Sequence, residues 1–158
     1  MKKSYSSLAI GAATGVVLTA LIIFFISPAI MFKENKSNYD FETTVAKFEK
    51  SVQEAGWKLP HVNDLQKSMK SFGHEVHKVK VFEICQPEHA IKILSQDDER
   101  IVSSLMPCRV AIYEKSDGQV YVSRMNSSVL AKPMNKIIRK TMVDATVETE
   151  DILLPLFN

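Results

Sequence analysis

Behind Asp40, a short acceptor side chain suited to a helix N-cap, apolar residues recur at Val45, Phe48, Val52 and Ala55. Spacings of three and four predict an amphipathic helix, and Gly56 supplies its stop. Trp57 to Pro60 reads as a short strand. Asp64 then caps a second brief helix that places Leu65, Met69 and Phe72 on one face before Gly73. Val76, Val79, Val81, Phe82 and Ile84, with lysines interleaved, predict a strand from Glu75 to Cys85. Pro87 fits the first turn of a helix through Leu94, with Ala90, Ile91 and Leu94 inward.

After a solvated turn at Gln96 to Arg100, the apolar stretch Ile101 to Met106 leads into Pro107 and a further strand, Cys108 to Glu114. Its alternation puts Cys108, Val110 and Ile112 on one face and Arg109, Ala111 and Tyr113 on the other. Ser116-Asp117-Gly118 has hairpin chemistry, and Gln119 to Arg124 forms the return strand. Leu130, Met134, Ile137, Ile138, Thr141, Met142 and Ala145 fall at helical spacing and predict a helix over the sheet, ended by Glu148 to Asp151. The apolar tail, residues 152 to 158, either tucks back onto the core or meets a partner. This order predicts an α+β domain over residues 41 to 151, a mostly antiparallel sheet with helices packed on it.

The amino-terminal pattern is different. Residues 1 to 7 carry Lys2 and Lys3, and residues 8 to 32 are uncharged, about 25 residues that at about 1.5 Å each exceed a hydrocarbon core of about 30 Å. A single transmembrane helix, a signal anchor in the lipid bilayer, is predicted there. The two lysines favour a cytoplasmic amino terminus and an exported carboxy-terminal domain, with residues 33 to 40 as a polar linker. A cleavable signal peptide ending near Ser27-Pro28-Ala29 is the alternative, and both export the domain. Gly11 and Gly15 stand at Gly-x-x-x-Gly spacing, which would let two anchors pair as a homodimer.

Charge narrows the partners. Lys2 and Lys3 account for the whole net charge of +2, so the rest balances at 18 basic and 18 acidic residues. With one Trp and no basic run, nucleic acid is not an expected partner.

Candidate chemistry gathers between Val81 and Tyr113, which holds both cysteines of the chain. Cys85 closes an apolar run just before Pro87, and Cys108 opens another just after Pro107. A thiol at a helix N-terminus feels the positive end of the helix dipole, which favours the thiolate. Ile84-Cys85-x-Pro87 with Ala90 and Leu94, followed by Leu105-x-Pro107-Cys108-Arg109-Val110, resembles the bacterial and archaeal family called "domain of unknown function 302" from about Tyr39 to about Met134. The resemblance implies the same α+β class. Its name specifies no activity and no cofactor.

Cys85, Pro87, His89, Pro107, Cys108 and Arg109 are therefore the candidate ligand-binding residues of a binding or accessory module, anchored in the bacterial inner membrane with its domain in the periplasm. Four alternatives stay open. Cys85 and Cys108 could form a disulfide, closing a loop of about 24 residues worth about 3 kcal/mol in the chain-entropy model. They could act catalytically in thiol redox or sulfur transfer, with Cys85 as nucleophile. Cys85 and Cys108 with His89, or with Met106, offer a soft-metal or haem set. The domain could also be a structural subunit of a membrane complex, its anchor and tail making the contacts.

Overall fold

A computed structural model describes the backbone of residues 2–158 and the side chains of residues 9–22 and 29–158. Helix α1 (Lys2–Met31) runs directly into strand β1 (Phe32–Lys36). There follow α2 (Phe41–Glu54), β2 (Lys58–Asp64), α3 (Leu65–Ser71), β3 (Val79–Cys85), α4 (Pro87–Leu94), β4 (Cys108–Glu114), β5 (Val120–Met125), α5 (Ser127–Leu130) and α6 (Lys136–Leu153). Short 3-10 turns occupy Glu99–Leu105 and Leu154–Leu156. Five strands form one antiparallel sheet in the order β1-β5-β4-β3-β2.

Alternation decides what the sheet buries. Phe82, Ile84, Val110, Ile112, Val120 and Val122 point to one face and meet Phe41, Val45, Phe48 and Val52 of α2 and Ala145, Ile152 and Leu153 of α6. Phe48 meets Phe82 edge to face, ring centroids 5.1 Å apart. Asp40 Oδ1 accepts the Thr43 N–H at 2.9 Å, and Asp64 Oδ1 the Lys67 N–H at 2.8 Å, so both expected caps form. Gly56 leaves α2 at φ +74°, a conformation that costs glycine least.

The structure departs from the sequence-based expectation at several places. The linker expected over residues 33 to 40 begins as strand β1, in register with β5 from Phe32 opposite Met125 to Lys36 opposite Tyr121. It hides from a hydrophobic pattern because its inward positions are Lys33 and Asn35, which bond to Glu150 and Arg124 instead of packing apolar surface. On α4 the buried residue is Ile93, packed with Val102 and Ile138, while Ile91 and Leu94 face outward. The residues expected on one face of the second helix, Leu65, Met69 and Phe72, are not buried, and Phe72 is exposed. Strand β3 starts at Val79, leaving His74 and His77 before it. Helix α6 passes through Glu148 to Asp151 and ends at Leu153, because those acids find partners or face solvent instead of stopping it.

Among the described residues, no helix is long and apolar enough to cross a membrane. The span expected over residues 8 to 32 includes side chains, at 8 and 23–28, that lie outside the described residues.

The tail folds onto the core, with Leu156 fully buried and Leu154 half-exposed. Asn38 donates to the Phe157 carbonyl at 2.8 Å and ties it to the start of the domain. Truncating Leu156 to Ala is expected to cost about 2–5 kcal/mol in urea unfolding, and Leu154 to Ala less than about 0.5 kcal/mol. Equal small losses would contradict a tail that belongs to the core.

Candidate functional site

Strand pairing brings the two cysteine motifs together. Ile84 lies opposite Cys108, so Cys85 at the end of β3 sits beside the start of β4. From there the chain turns at Gln86 into α4, while β4 enters through the cis Met106–Pro107 bond. Helix α6 crosses above, and between these elements is a cavity of about 140 Å³. Cys85, Cys108, Met106, Met142, Trp57 and His89 contribute to its wall, with Arg124 and Glu150 also lining it.

Of the residues singled out from sequence, Cys85, His89, Pro107, Cys108 and Arg109 line this cavity, whereas Pro87 does not. Arg109 is not its cation. Its side chain is 64% exposed, and its guanidinium pairs with Glu83, its cross-strand partner, at 3.4 Å. Arg124 takes that place: it is buried and held by both carboxylate oxygens of Glu150, with Nη1 donating to Asn35 Oδ1 at 2.6 Å. Lys33 Nζ adds a contact to Glu150 at 3.0 Å. Burial pulls the Glu150 carboxyl upward, but the hydrogen bonds from Arg124 and Lys33 outweigh it and hold it below the ordinary glutamate range.

A second carboxylate works from the same helix. Glu148 accepts the Trp57 indole N–H at 3.0 Å with one oxygen and meets His89 Nε2 at 2.8 Å with the other. His89 Nδ1 is buried without a hydrogen-bond partner. Sequence reasoning missed Trp57, Arg124, Glu148 and Glu150. Residues two apart on a helix do not face each other, and only the fold reveals that each finds a separate partner set.

The thiols behave contrary to the helix-terminus expectation. Burial raises the Cys85 thiol above its ordinary value, and burial together with the neighbouring Cys85 raises Cys108. The helix offers Cys85 little compensation: Pro87 has no N–H, and the His89 and Ala90 N–H groups turn back onto the Gln86 carbonyl at 3.1 and 3.0 Å. The two cysteines are not bridged. Among the described residues no three His, Cys, Asp or Glu side chains are placed to hold a metal ion, so the set Cys85, His89 and Cys108 does not assemble into one.

The family model described as "Domain of unknown function DUF302" matches residues 33–153. A solved structure titled "Crystal structure of uncharacterized conserved protein DUF302 from Bacillus stearothermophilus" is similar with a TM-score of 0.71, at 15% identity, over 80% of this chain and 98% of that one. That likeness is one of fold. No curated protein matches.

With both thiols raised, iodoacetamide at neutral pH is expected to alkylate Cys85 and Cys108 more slowly than a free cysteine. The rates should still be climbing above the ordinary thiol value of 9.0. Either thiol reacting at the free-cysteine rate near neutrality would overturn this assignment.

Proposed function

The chain belongs to the DUF302 family, and on that footing we propose that it is a membrane-anchored binding module whose cavity takes one small, mostly apolar molecule. The cavity carries this reading. Its volume of about 140 Å³ is close to that of an engineered apolar cavity of about 150 Å³ that accepts benzene. Thiol and thioether side chains at Cys85, Cys108, Met106 and Met142 give it a soft, adaptable surface. The charged pair at its edge, Arg124 and Glu150, is bonded to itself, and Thr146 and Thr149 donate to helix carbonyls, which suits a site that admits its ligand by shape more than by charge.

The anchor is the other half of the proposal. Helix α1 has 30 residues, about 45 Å at about 1.5 Å per residue, against a hydrocarbon core of about 30 Å. Ile10, Val16, Val17, Leu18, Leu21 and Ile22 are all exposed on it, as lipid-facing side chains would be. Lys2 and Lys3 favour holding the amino terminus in the cytoplasm, with the cavity domain on the far side. Thiol redox chemistry fits less well, since raised thiols supply little attacking thiolate at neutral pH.

Titrating the full chain in detergent with benzene should shift the methyl resonances of Met106 and Met142 saturably and leave Met69, outside the cavity, unmoved. Absence of any saturable shift would refute the binding reading. For the anchor, a reporter enzyme fused after Asn158 that matures only outside the cytoplasm should be active, and an inactive fusion would reverse the orientation.

A further inference from the structure

Resting on the reading of α1 as a membrane anchor, we propose that the tip of the domain around the start of α6 binds the same bilayer. Lys132, Lys136 and Arg139 meet anionic lipid headgroups there, and Ile101 and Ile137 enter the layer beneath them. Three observations carry this. First, the anchor leaves the domain at a defined end and without a linker. Phe32 opens β1 directly after α1 and pairs with Met125. The next residue, Asn126, donates its backbone N–H to the Met31 carbonyl at 2.7 Å and its side-chain amide to the Ile30 carbonyl at 3.0 Å. These bonds fasten the last carbonyls of α1 to the residue that opens α5.

Second, α6 overhangs the sheet at that end. Its Glu150 reaches Lys33 and Arg124, and the Leu156 carbonyl beyond it accepts the Asn38 N–H at 3.0 Å, so the helix runs in the direction of β1 with its N-terminus toward the anchor. Lys136 lies about 20 Å back along the axis from Glu150, at about 1.5 Å per residue. Strand β1 has only Phe32 on that side of Lys33. Helix α5 touches both α1 and α6, and Ile138 in the overhang shares a buried cluster with Ile93 and Val102. A domain tied this closely to a spanning helix brings its overhang to the membrane surface.

Third, the overhang has the chemistry of a lipid contact. Between Asp117 and Asp144 the chain has no acidic residue, but it has Arg124, Lys132, Lys136, Arg139 and Lys140. Lys140 pairs with Asp144 at 2.7 Å, whereas Lys132, Lys136 and Arg139 are exposed and have no acidic partner among the described residues. Of the acids on the adjoining turn, Glu99 accepts the Asn135 amide at 3.0 Å and Asp97 pairs with Arg100 at 3.4 Å, leaving Asp98. Ile101, beside Val102, is 79% exposed, and Ile137, beside Ile138, is 44% exposed. Exposed apolar side chains among unpaired basic ones suit an anionic leaflet, which buries the first below its headgroups and attracts the second by charge.

The test places the full chain in nanodiscs of phosphatidylcholine, alone or mixed with phosphatidylglycerol, and records the broadening of methyl resonances by lipids that carry a nitroxide. With anionic lipid and a headgroup nitroxide, Ile101 and Ile137 should broaden clearly more than Leu154, which is half-exposed at the opposite end of α6. In phosphatidylcholine alone, or with Lys132→Gln, Lys136→Gln and Arg139→Gln combined, that excess should fall about fivefold or more, since one basic residue near an anionic surface is worth about that factor. All three side chains are exposed, so the variant should keep its fold, and an unmoved resonance of the buried Leu153 certifies it.

Leu18 on α1, read with a nitroxide deep in the acyl chains, reports the anchor separately. An unbroadened Leu18 overturns the anchor reading, and the bilayer contact with it. A broadened Leu18 with Ile101 and Ile137 affected no more than Leu154 overturns the contact and leaves the anchor standing. So does an excess that is the same with and without anionic lipid, or that survives the three substitutions.

Discussion

Two carboxylates on one helix, Glu148 and Glu150, determine where every element around the cavity can sit. Their side chains leave α6 in nearly opposite directions, as residues two apart on a helix must. Glu150 reaches Arg124 on β5 and Lys33 on β1, at one side of the sheet. Glu148 reaches Trp57, just ahead of β2 on the other side, and His89 on α4. Strands β3 and β4, which carry the two cysteines, lie between these holds. Thr149 is buried between the two acids, so α6 is pinned on both flanks with its middle against the sheet.

That clamp explains why an apolar space persists beneath a well-packed helix. An unfilled apolar cavity normally costs stability and invites collapse of its walls. Here each flank is closed by a polar set whose hydrogen bonds would break if α6 moved inward, and a buried arginine without its carboxylate is expensive. Partial burial in the same wall raises both thiols above their ordinary value.

Much of the domain was legible in the sequence because its elements are amphipathic. Val45, Phe48 and Val52 announce α2, the alternation from Cys108 to Tyr113 announces β4, and Asp40 and Asp64 mark true helix starts. Cys85 and Cys108, each at the end of an apolar run, both line the cavity. What stayed hidden is the polar part of the interior. Strand β1 looks like a linker because Lys33 and Asn35 face inward to charges; α6 looks finished at Glu148 because acids that end a pattern on paper grip neighbours in the fold. Arg109 drew attention by standing next to Cys108, yet a strand sends neighbours to opposite faces, and the buried cation is Arg124, far away in sequence.

The most direct test of the clamp is the unfolding free energy of the native chain and of Glu150→Gln across pH. Glu150 titrates lower when folded than its ordinary 4.5, so its contribution is whole above that value and is lost as pH falls through the lower, folded value. The substitution should cost about 2–3 kcal/mol at neutral pH, because Arg124 loses a charged partner, and the gap should close only below the ordinary value. A gap that is absent at neutral pH, or that stays constant into acid, would contradict the account.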